Sequence, residues 1–433
     1  MRWLRSGGNI DPDMDLLADL DARGLIHDST DRAALGARLQ AGPLSVYVGF
    51  DPTADSLHVG HLVGQLYLRR FQQAGNKPFP LAGGATGMVG DPSGRSEERN
   101  LLDIDTLRYN VSRIEAQLQR LLDFSPGKYQ AKLVNNADWT EPLTLLDFLR
   151  DVGKHVTINQ MLAKDSVRSR LETDNGLSFT EFTYSLLQAN DFRHLYEHEG
   201  VELQAGGSDQ WGNIVAGVDL IRRHLGKSAH AMTHPLVTKS DGTKFGKSVG
   251  GAVWLDADKT SPYQFRQFWI QVDDVMVARY LHMFSLQPLD STAQVLVEHQ
   301  AAPERRLAQR ALADELTTLV HGVDALDAAR SATDVLFGGD PSSASEATLA
   351  AVAREVPSSV VSRATLDDLV GVLVAAGLAS SNGDARRTLQ QKGFRANGVQ
   401  LAEDSQLTGM NLLHGKYLLL RKGKTNHHLL EIS

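Results

Sequence analysis

The chain has 433 residues, enough for two to four domains and a large buried core. Lys and Arg number 44 against 52 Asp and Glu, a formal net charge of −8, which excludes a generally basic nucleic-acid coat but not a local basic face. There is no cysteine, so disulfides, thiolate zinc sites, iron–sulfur clusters and a cysteine nucleophile are impossible.

No apolar run approaches the ~18–20 residues that span a bilayer. The basic start, Met1-Arg2-Trp3-Leu4-Arg5, runs into Ser6-Gly7-Gly8-Asn9 rather than an apolar signal core. A cytoplasmic protein without a membrane segment is expected. Residues 1–13 read as an irregular N-terminal extension, and helical patterning begins at Asp13-Met14-Asp15-Leu16-Leu17. From about 44 to 235, strand-like runs alternate with amphipathic helices. Examples are Leu44–Phe50, Pro78–Ala82 and Ala131–Asn135. That alternation predicts an α/β fold, a parallel sheet with helices on both faces. Residues 239–251 form a Gly/Lys-rich loop expected to be mobile. From Ser261-Pro262 to about Leu336 the pattern is helical. Gly338-Gly339-Asp340-Pro341-Ser342-Ser343-Ala344-Ser345 reads as a linker or exposed turn, and a small mixed module follows at about 362–433. That module holds 9 Lys/Arg and 6 Asp/Glu, a net +3, so the preceding 361 residues carry −11. A basic tail on an acidic body suits a polyanion partner or a solvated charged face equally well.

Asp51-Pro52-Thr53-Ala54-Asp55-Ser56-Leu57-His58-Val59-Gly60-His61 follows the first strand, and apolar residues behind it recur at helical spacing. The two histidines therefore fall in the first turn of a helix. Backbone N–H groups and the positive dipole end point beyond that turn, where a phosphate is the natural occupant. Taken alone, the pair also suits a satisfied helix start or part of a metal site, although no further ligands at zinc spacing stand nearby. Lys244-Phe245-Gly246-Lys247-Ser248 places two ammonium groups three residues apart in a flexible loop, where they can close on a polyphosphate. Neither this loop nor Gly94-Arg95-Ser96 is a P-loop, because the required first glycine is replaced by Asp241 and Val89.

The pair His58-Val59-Gly60-His61 and Lys244-Phe245-Gly246-Lys247-Ser248 resembles, in this order, the two signature motifs of class I aminoacyl-tRNA synthetases. Tyr47–His58, Gly83–Gly87, Gly90–Gly94, Ser178–Phe182 and Gly206–Asn213 resemble the bacterial tyrosyl-tRNA synthetase family nearly residue for residue. The likeness runs from about residue 14 to the C-terminus. It implies a Rossmann-like parallel-sheet catalytic domain at 14–260 with motifs at 52–61 and 244–248. A helical anticodon-arm domain at 261–345, a linker at 346–361 and an S4-like RNA-binding domain of α+β type at 362–433 would follow.

The resemblance also implies roles. Tyr47 and Asp191 would hold the substrate hydroxyl, and Tyr184, Gln188, Asp91 and Gln204 its α-ammonium group. Independently of any family, Tyr184, Gln188 and Asp191 are spaced i, i+4 and i+7 and share one helix face. Buried polar groups aimed at a hydroxyl refuse the analogue that lacks it, and this family is the standard illustration of that principle. Thr53 and His58 would contact the γ-phosphate of ATP in the transition state. His61, Gly60, Gly49, Asp51, Asp209 and Gln210 would hold the nucleotide. Lys244, Lys247 and Ser248 would close over pyrophosphate, with Arg95 and Arg99 adding charge. Val48 stands where relatives carry a ribose-contacting cysteine and is left out of the site. Mg²⁺ is expected to travel with ATP. Ser380–Gly398 resembles an S4 RNA-binding element, in which Arg386, Arg387, Lys392 and Arg395 would meet tRNA phosphates. The expected substrates are L-tyrosine, ATP and tRNA(Tyr), and the expected assembly a homodimer. A non-catalytic RNA-binding protein on the same scaffold and a tryptophan-specific relative are the competing readings.

Overall fold

The computed structural model describes residues 11, 13–93, 102–171, 176–243, 245, 247–248 and 251–433. The chain divides into two compact units. One comprises the residues up to Asp256 with Phe268–Val320, the other Ala257–Gln267 with His321–Ser433. The expected N-terminal extension at 1–13, Arg95, Arg99 and Lys244 lie outside the described residues, apart from Asp11 and Asp13.

The first unit is built on a five-stranded parallel sheet of β1 (Ser45–Phe50), β2 (Lys77–Ala82), β3 (Val134–Asn135), β4 (Val201–Gly207) and β5 (His230–His234). Its spatial order is β3-β2-β1-β4-β5. β1 pairs in parallel with β2 on one side and β4 on the other. The chain reverses direction of winding at β1, and in such sheets ligands seat beyond the carboxyl ends of the strands at that point. Strands buried on both faces read as nearly continuous apolar runs, as β1 does: every residue of Ser-Val-Tyr-Val-Gly-Phe but Gly49 is buried.

Three helices position the site. α1 (Val59–Gln73) follows β1, α2 (Phe179–Glu199) precedes β4, and α3 (Trp211–Leu225) follows it. α2 starts at Ser178, whose hydroxyl accepts from the Glu181 N–H at 3.2 Å, and stops at Gly200, which is left-handed at φ 66°. Phe192 and Leu195 are fully buried in a cluster with Tyr47, Phe79 and Leu81. Burial of each such side chain contributes about 1.5–3 kcal/mol. They set the rotation of α2, so Tyr184, Gln188 and Asp191 turn toward the carboxyl edge of the sheet.

In the second unit, Phe394–Ala396, Val399–Gln400, Tyr417–Lys422 and Asn426–Ile432 form an antiparallel sheet, and Ser358–Val361 adds to it in parallel. One apolar cluster includes Leu373, Leu389, Phe394, Leu420 and Leu430. Another joins Leu419 and Leu429 to Val335, Leu349 and Val352 of the helices Val323–Leu336 and Glu346–Glu355. Residues 346–361, read from sequence as a linker, are therefore structured. Ser345 caps the helix by accepting from Thr348 N–H, and the β-branched Val360-Val361 pair with Glu431 and Ile432. The loop at 239–251 is also tied down in part. Phe245 is buried against Phe268, Trp269, Tyr280 and Phe284, with its nearest ring, Tyr280, at 4.6 Å. Lys247–Ser248 pairs with Gly251–Ala252.

Candidate active site

A cavity of about 780 Å³ opens at the carboxyl ends of β1, β4 and β5. Its lining brings together Tyr47, Asp91, Tyr184, Gln188, Asp191 and Gln204, all six residues expected to hold the amino acid. Gly49, Asp51, His58, Gly60, His61, Asp209 and Gln210, expected at the nucleotide, line the same cavity. Thr53 is not among the lining residues. It lies exposed on the turn after β1, its N–H donating to the Asp51 carbonyl at 2.9 Å. Val48, left out on chemical grounds, does line the cavity, as an apolar wall beside Gly64. The side chains of Lys247 and Ser248, like Lys244 as a whole, lie outside the described residues. Arg386, Arg387, Lys392 and Arg395 are all exposed on the second unit, the first two on the helix Asn382–Gln390.

At one end of the cavity Asp191 is 2% exposed. Its carboxylate accepts from Asn136 Nδ2 at 3.0 Å and from Trp139 Nε1 at 2.8 Å. Burial raises its pKa to about 7, against the opposing pull of those two hydrogen bonds. The Tyr47 hydroxyl is buried with no hydrogen-bond partner among the described residues. Burial and then the nearby Asp191 charge push its pKa well up. Gln188 Oε1 and Gln204 Oε1 are likewise buried without a partner among the described residues. Unsatisfied buried groups clustered on one wall are costly, and a ligand bearing complementary donors and acceptors relieves that cost.

A hydrogen-bonded chain links the two halves of the site. Asn136 also donates to Thr86 Oγ1 at 3.0 Å, and Thr86 donates to Asp51 Oδ1 at 2.8 Å. The Tyr184 hydroxyl donates to Asp51 Oδ2 at 2.8 Å. Gly83 makes room for this chain, because a Cβ there would lie 2.2 Å from Asp51 Oδ1 and 2.5 Å from Thr86 Oγ1 and push both aside. Asp91 accepts from Gln210 Nε2 at 2.6 Å and from the Ser93 N–H at 2.9 Å. Asn136 and Trp139 escaped the sequence reading. They lie on a segment with no periodic pattern just after the two-residue β3, Asn136 as the residue before the four-residue helix Ala137–Thr140 and Trp139 within it. The one available signal is a Trp and an Asn three apart directly after a strand.

At the other end, the two histidines form the cap of α1. The Gly60 N–H donates to His58 Nδ1 at 3.0 Å, and the His58 N–H donates to His61 Nδ1 at 3.2 Å. The rings stack with centroids 4.0 Å apart. Because each Nδ1 accepts, the proton of each neutral ring sits on Nε2. The helix cap and the phosphate-binding readings are thus one arrangement: capping fixes the tautomer that makes Nε2 a donor. Gly60 leaves room for that ring, since a Cβ there would lie 2.7 Å from His58 Cε1 and displace it.

Comparison with known proteins agrees with this geometry. The model of class I tRNA synthetases (W and Y) matches residues 39–338, and that of the tyrosine–tRNA ligase SYY-like C-terminal domain matches 348–430. The tyrosine–tRNA ligase of Opitutus terrae is 50% identical over 424 residues, 97% of this chain and 100% of the relative. That of Geobacillus stearothermophilus is 48% identical over 419 residues, 96% and 99% respectively. A C-terminally truncated mitochondrial tyrosyl-tRNA synthetase of Aspergillus nidulans superposes with TM-score 0.68 and 33% identity, covering 78% of this chain and 98% of that one. A tryptophanyl-tRNA synthetase of Encephalitozoon cuniculi, at 13% identity and TM-score 0.54, shares the fold.

Proposed function

Because the chain belongs to the class I tRNA synthetases of the tryptophan and tyrosine type, we propose that its cavity is the active site of a tyrosine–tRNA ligase. L-Tyrosine and ATP form tyrosyl-adenylate and pyrophosphate, and the tyrosyl group passes to the 3′-terminal ribose of tRNA(Tyr). The observation that supports this reading is one cavity lined both by Tyr47 and Asp191, which can hold a phenol, and by His58 and His61, which can hold phosphates. The relatives at 48–50% identity over nearly the whole chain carry the name tyrosine–tRNA ligase, which favours tyrosine over the tryptophan-specific and non-catalytic readings. Mixed with tyrosine and Mg·ATP, the protein is expected to retain one tyrosyl-adenylate per site and to discharge it onto added tRNA(Tyr). Failure to form adenylate would refute the proposal.

No side-chain nucleophile is needed. The tyrosine carboxylate attacks the α-phosphorus, the bond to pyrophosphate breaks, and the protein's contribution is positioning and charge stabilisation. Tyr47 and Asp191 grip the phenol. Asp91, Tyr184, Gln188 and Gln204 form the pocket for the α-ammonium group. His58 and His61, each with its proton on Nε2, donate to phosphate oxygens, and Asp209 takes the ribose. Lys244, Lys247 and Ser248 stabilise the departing pyrophosphate. Mg²⁺ arrives as part of the ATP substrate.

Asn136 and Trp139 are positioning residues for Asp191. The phenol donates to an ionised carboxylate, so kcat/KM for tyrosine is expected to rise with pH through the Asp191 pKa of about 7. Removing a donor destabilises the charged form and raises that pKa. Trp139→Phe is therefore expected to move the acid limb of the kcat/KM profile to higher pH. An unmoved limb would detach Trp139 from Asp191.

The exposed Arg386 and Arg387 are proposed tRNA phosphate contacts. The double variant Arg386→Gln/Arg387→Gln is expected to reduce the slope of log K against log salt by about 2. Tyrosine-dependent pyrophosphate exchange should be unchanged. An unaltered slope would place tRNA elsewhere.

A homodimer is proposed from the segment 145–179. Leu145, Leu146 and Leu149 of the helix Leu145–Asp151 are exposed, as are Ile158, Leu171 and Phe179. Leu146 is 77% and Phe179 78% accessible. On the same helix Phe148 packs inward against Val152 and Leu186. A short helix apolar on both faces needs cover on both. Leu146→Asp with Phe179→Asp is expected to halve the solution mass by light scattering. A wild-type monomer would contradict the dimer.

A further inference from the structure

The wall of the cavity on the β5 side carries a histidine that no step above uses. His234 ends β5, lines the cavity and is 5% exposed. Its register partner is Gly207 at the end of β4, which places it at the carboxyl edge of the sheet. Its Nδ1 lies 3.1 Å from the Pro235 carbonyl oxygen, a contact that requires the proton on Nδ1. The neutral ring therefore presents Nε2 as an acceptor. Tyr67 of α1 packs against the imidazole with centroids 5.6 Å apart, fixing its plane. Burial lowers the pKa to about 4, so the ring stays neutral across the working pH range.

The surroundings form a slot for a flat ring. Leu236, Val237 and Phe245 supply apolar walls. Gly60 and Gly207 leave the backbone bare beside them. A Cβ on Gly60 would lie 3.8 Å from the Phe245 carbonyl oxygen, and one on Gly207 3.1 Å from Leu236 Cδ2. An apolar slot with an imidazole acceptor in its lining suits a heteroaromatic ring bearing an N–H donor. Among the substrates proposed for this cavity, adenine fits that description. The ribose hydroxyls already have an acceptor in Asp209, whose Oδ1 lies 2.7 Å from where a Gly207 Cβ would be.

We propose that His234 Nε2 accepts a hydrogen bond from the 6-amino group of adenine and thereby selects ATP over 6-oxopurine nucleotides. This rests on the nucleotide reading of the cavity. A 6-oxopurine turns a carbonyl oxygen toward Nε2, setting two acceptors face to face, whereas an unsubstituted purine merely leaves Nε2 unpaired.

The test is tyrosine-dependent ATP–pyrophosphate exchange with ATP, purine riboside triphosphate and inosine triphosphate, on wild type and His234→Leu. In wild type, kcat/KM should fall roughly 10-fold with purine riboside triphosphate and further with inosine triphosphate. In His234→Leu the ratio of ATP to purine riboside triphosphate should shrink to within about threefold, because that variant has no acceptor to leave unpaired. KM for tyrosine should be unchanged. Wild-type exchange with ATP establishes the nucleotide reading separately. Equal use of all three nucleotides by wild type would overturn the proposal without any variant. An unchanged ratio in His234→Leu would show that the imidazole only packs against Tyr67 and Pro235. Relaxed discrimination against 2′- or 3′-deoxy-ATP instead would assign Nε2 to the ribose and equally overturn it.

Discussion

Asp191→Asn is expected to cut the preference for tyrosine over phenylalanine by about 10²-fold or more in kcat/KM for adenylate formation, because it leaves buried polar groups mispaired. Phe192 and Leu195 fix the rotation of α2, and the carboxylate comes to rest between Asn136 Nδ2 and Trp139 Nε1. Those two bonds leave acceptor capacity on an ionised carboxylate. A phenol entering the pocket donates to Asp191 and accepts from the Tyr47 hydroxyl, which has no partner among the described residues. Phenylalanine leaves both unsatisfied. An asparagine at 191 has one acceptor oxygen for two facing donors, so its amide N–H groups confront Asn136 or Trp139 and the phenol loses its partner. Exchange kinetics with each amino acid measure the effect, and thermal denaturation checks that the variant folds. Full retention of the tyrosine preference would mean that the phenol does not sit at Asp191.

His58→Ala is expected to lower kcat for adenylate formation by about 10²–10³-fold while changing KM for ATP far less, the signature of a donor that acts on charge developing in the transition state. His58 is also the N-cap of α1, and alanine there costs about 1 kcal/mol of stability. The two contributions separate with His58→Asn. Asparagine is a strong N-cap, so stability should return, but it supplies no imidazole Nε2–H, so the rate should stay low. Equal losses in rate and ATP affinity would indicate uniform binding of ground and transition states. Recovery of the rate in His58→Asn would reduce the histidine to its cap.

Much of this site is legible in sequence because it is built from short-range regularities. The i, i+4, i+7 spacing of Tyr184, Gln188 and Asp191 is a property of one helix, and the two histidines announce themselves as the first turn after a strand. What sets the chemistry of Asp191 was not legible. Asn136 and Trp139 reach it from 55 and 52 residues away, and the chain of bonds through Thr86 to Asp51 exists only once β1, β2 and β3 are side by side. The domain division drawn from the resemblance misled at 346–361, which it made a linker. A serine cap and pairing with Asn426–Ile432 decide otherwise. Composition misled at Phe245, a single aromatic in a glycine- and lysine-rich loop that is buried in an aromatic cluster. Thr53 sat inside a matching motif, yet it lies on the exposed turn rather than on the cavity wall.

The most direct measurement is the rate of ATP–pyrophosphate exchange by the intact protein with tyrosine, phenylalanine and tryptophan supplied in turn. Rapid exchange with tyrosine and near-background rates with the other two are predicted. Exchange that ignores the para-hydroxyl, or that runs fastest with tryptophan, would contradict a pocket built around Tyr47 and Asp191.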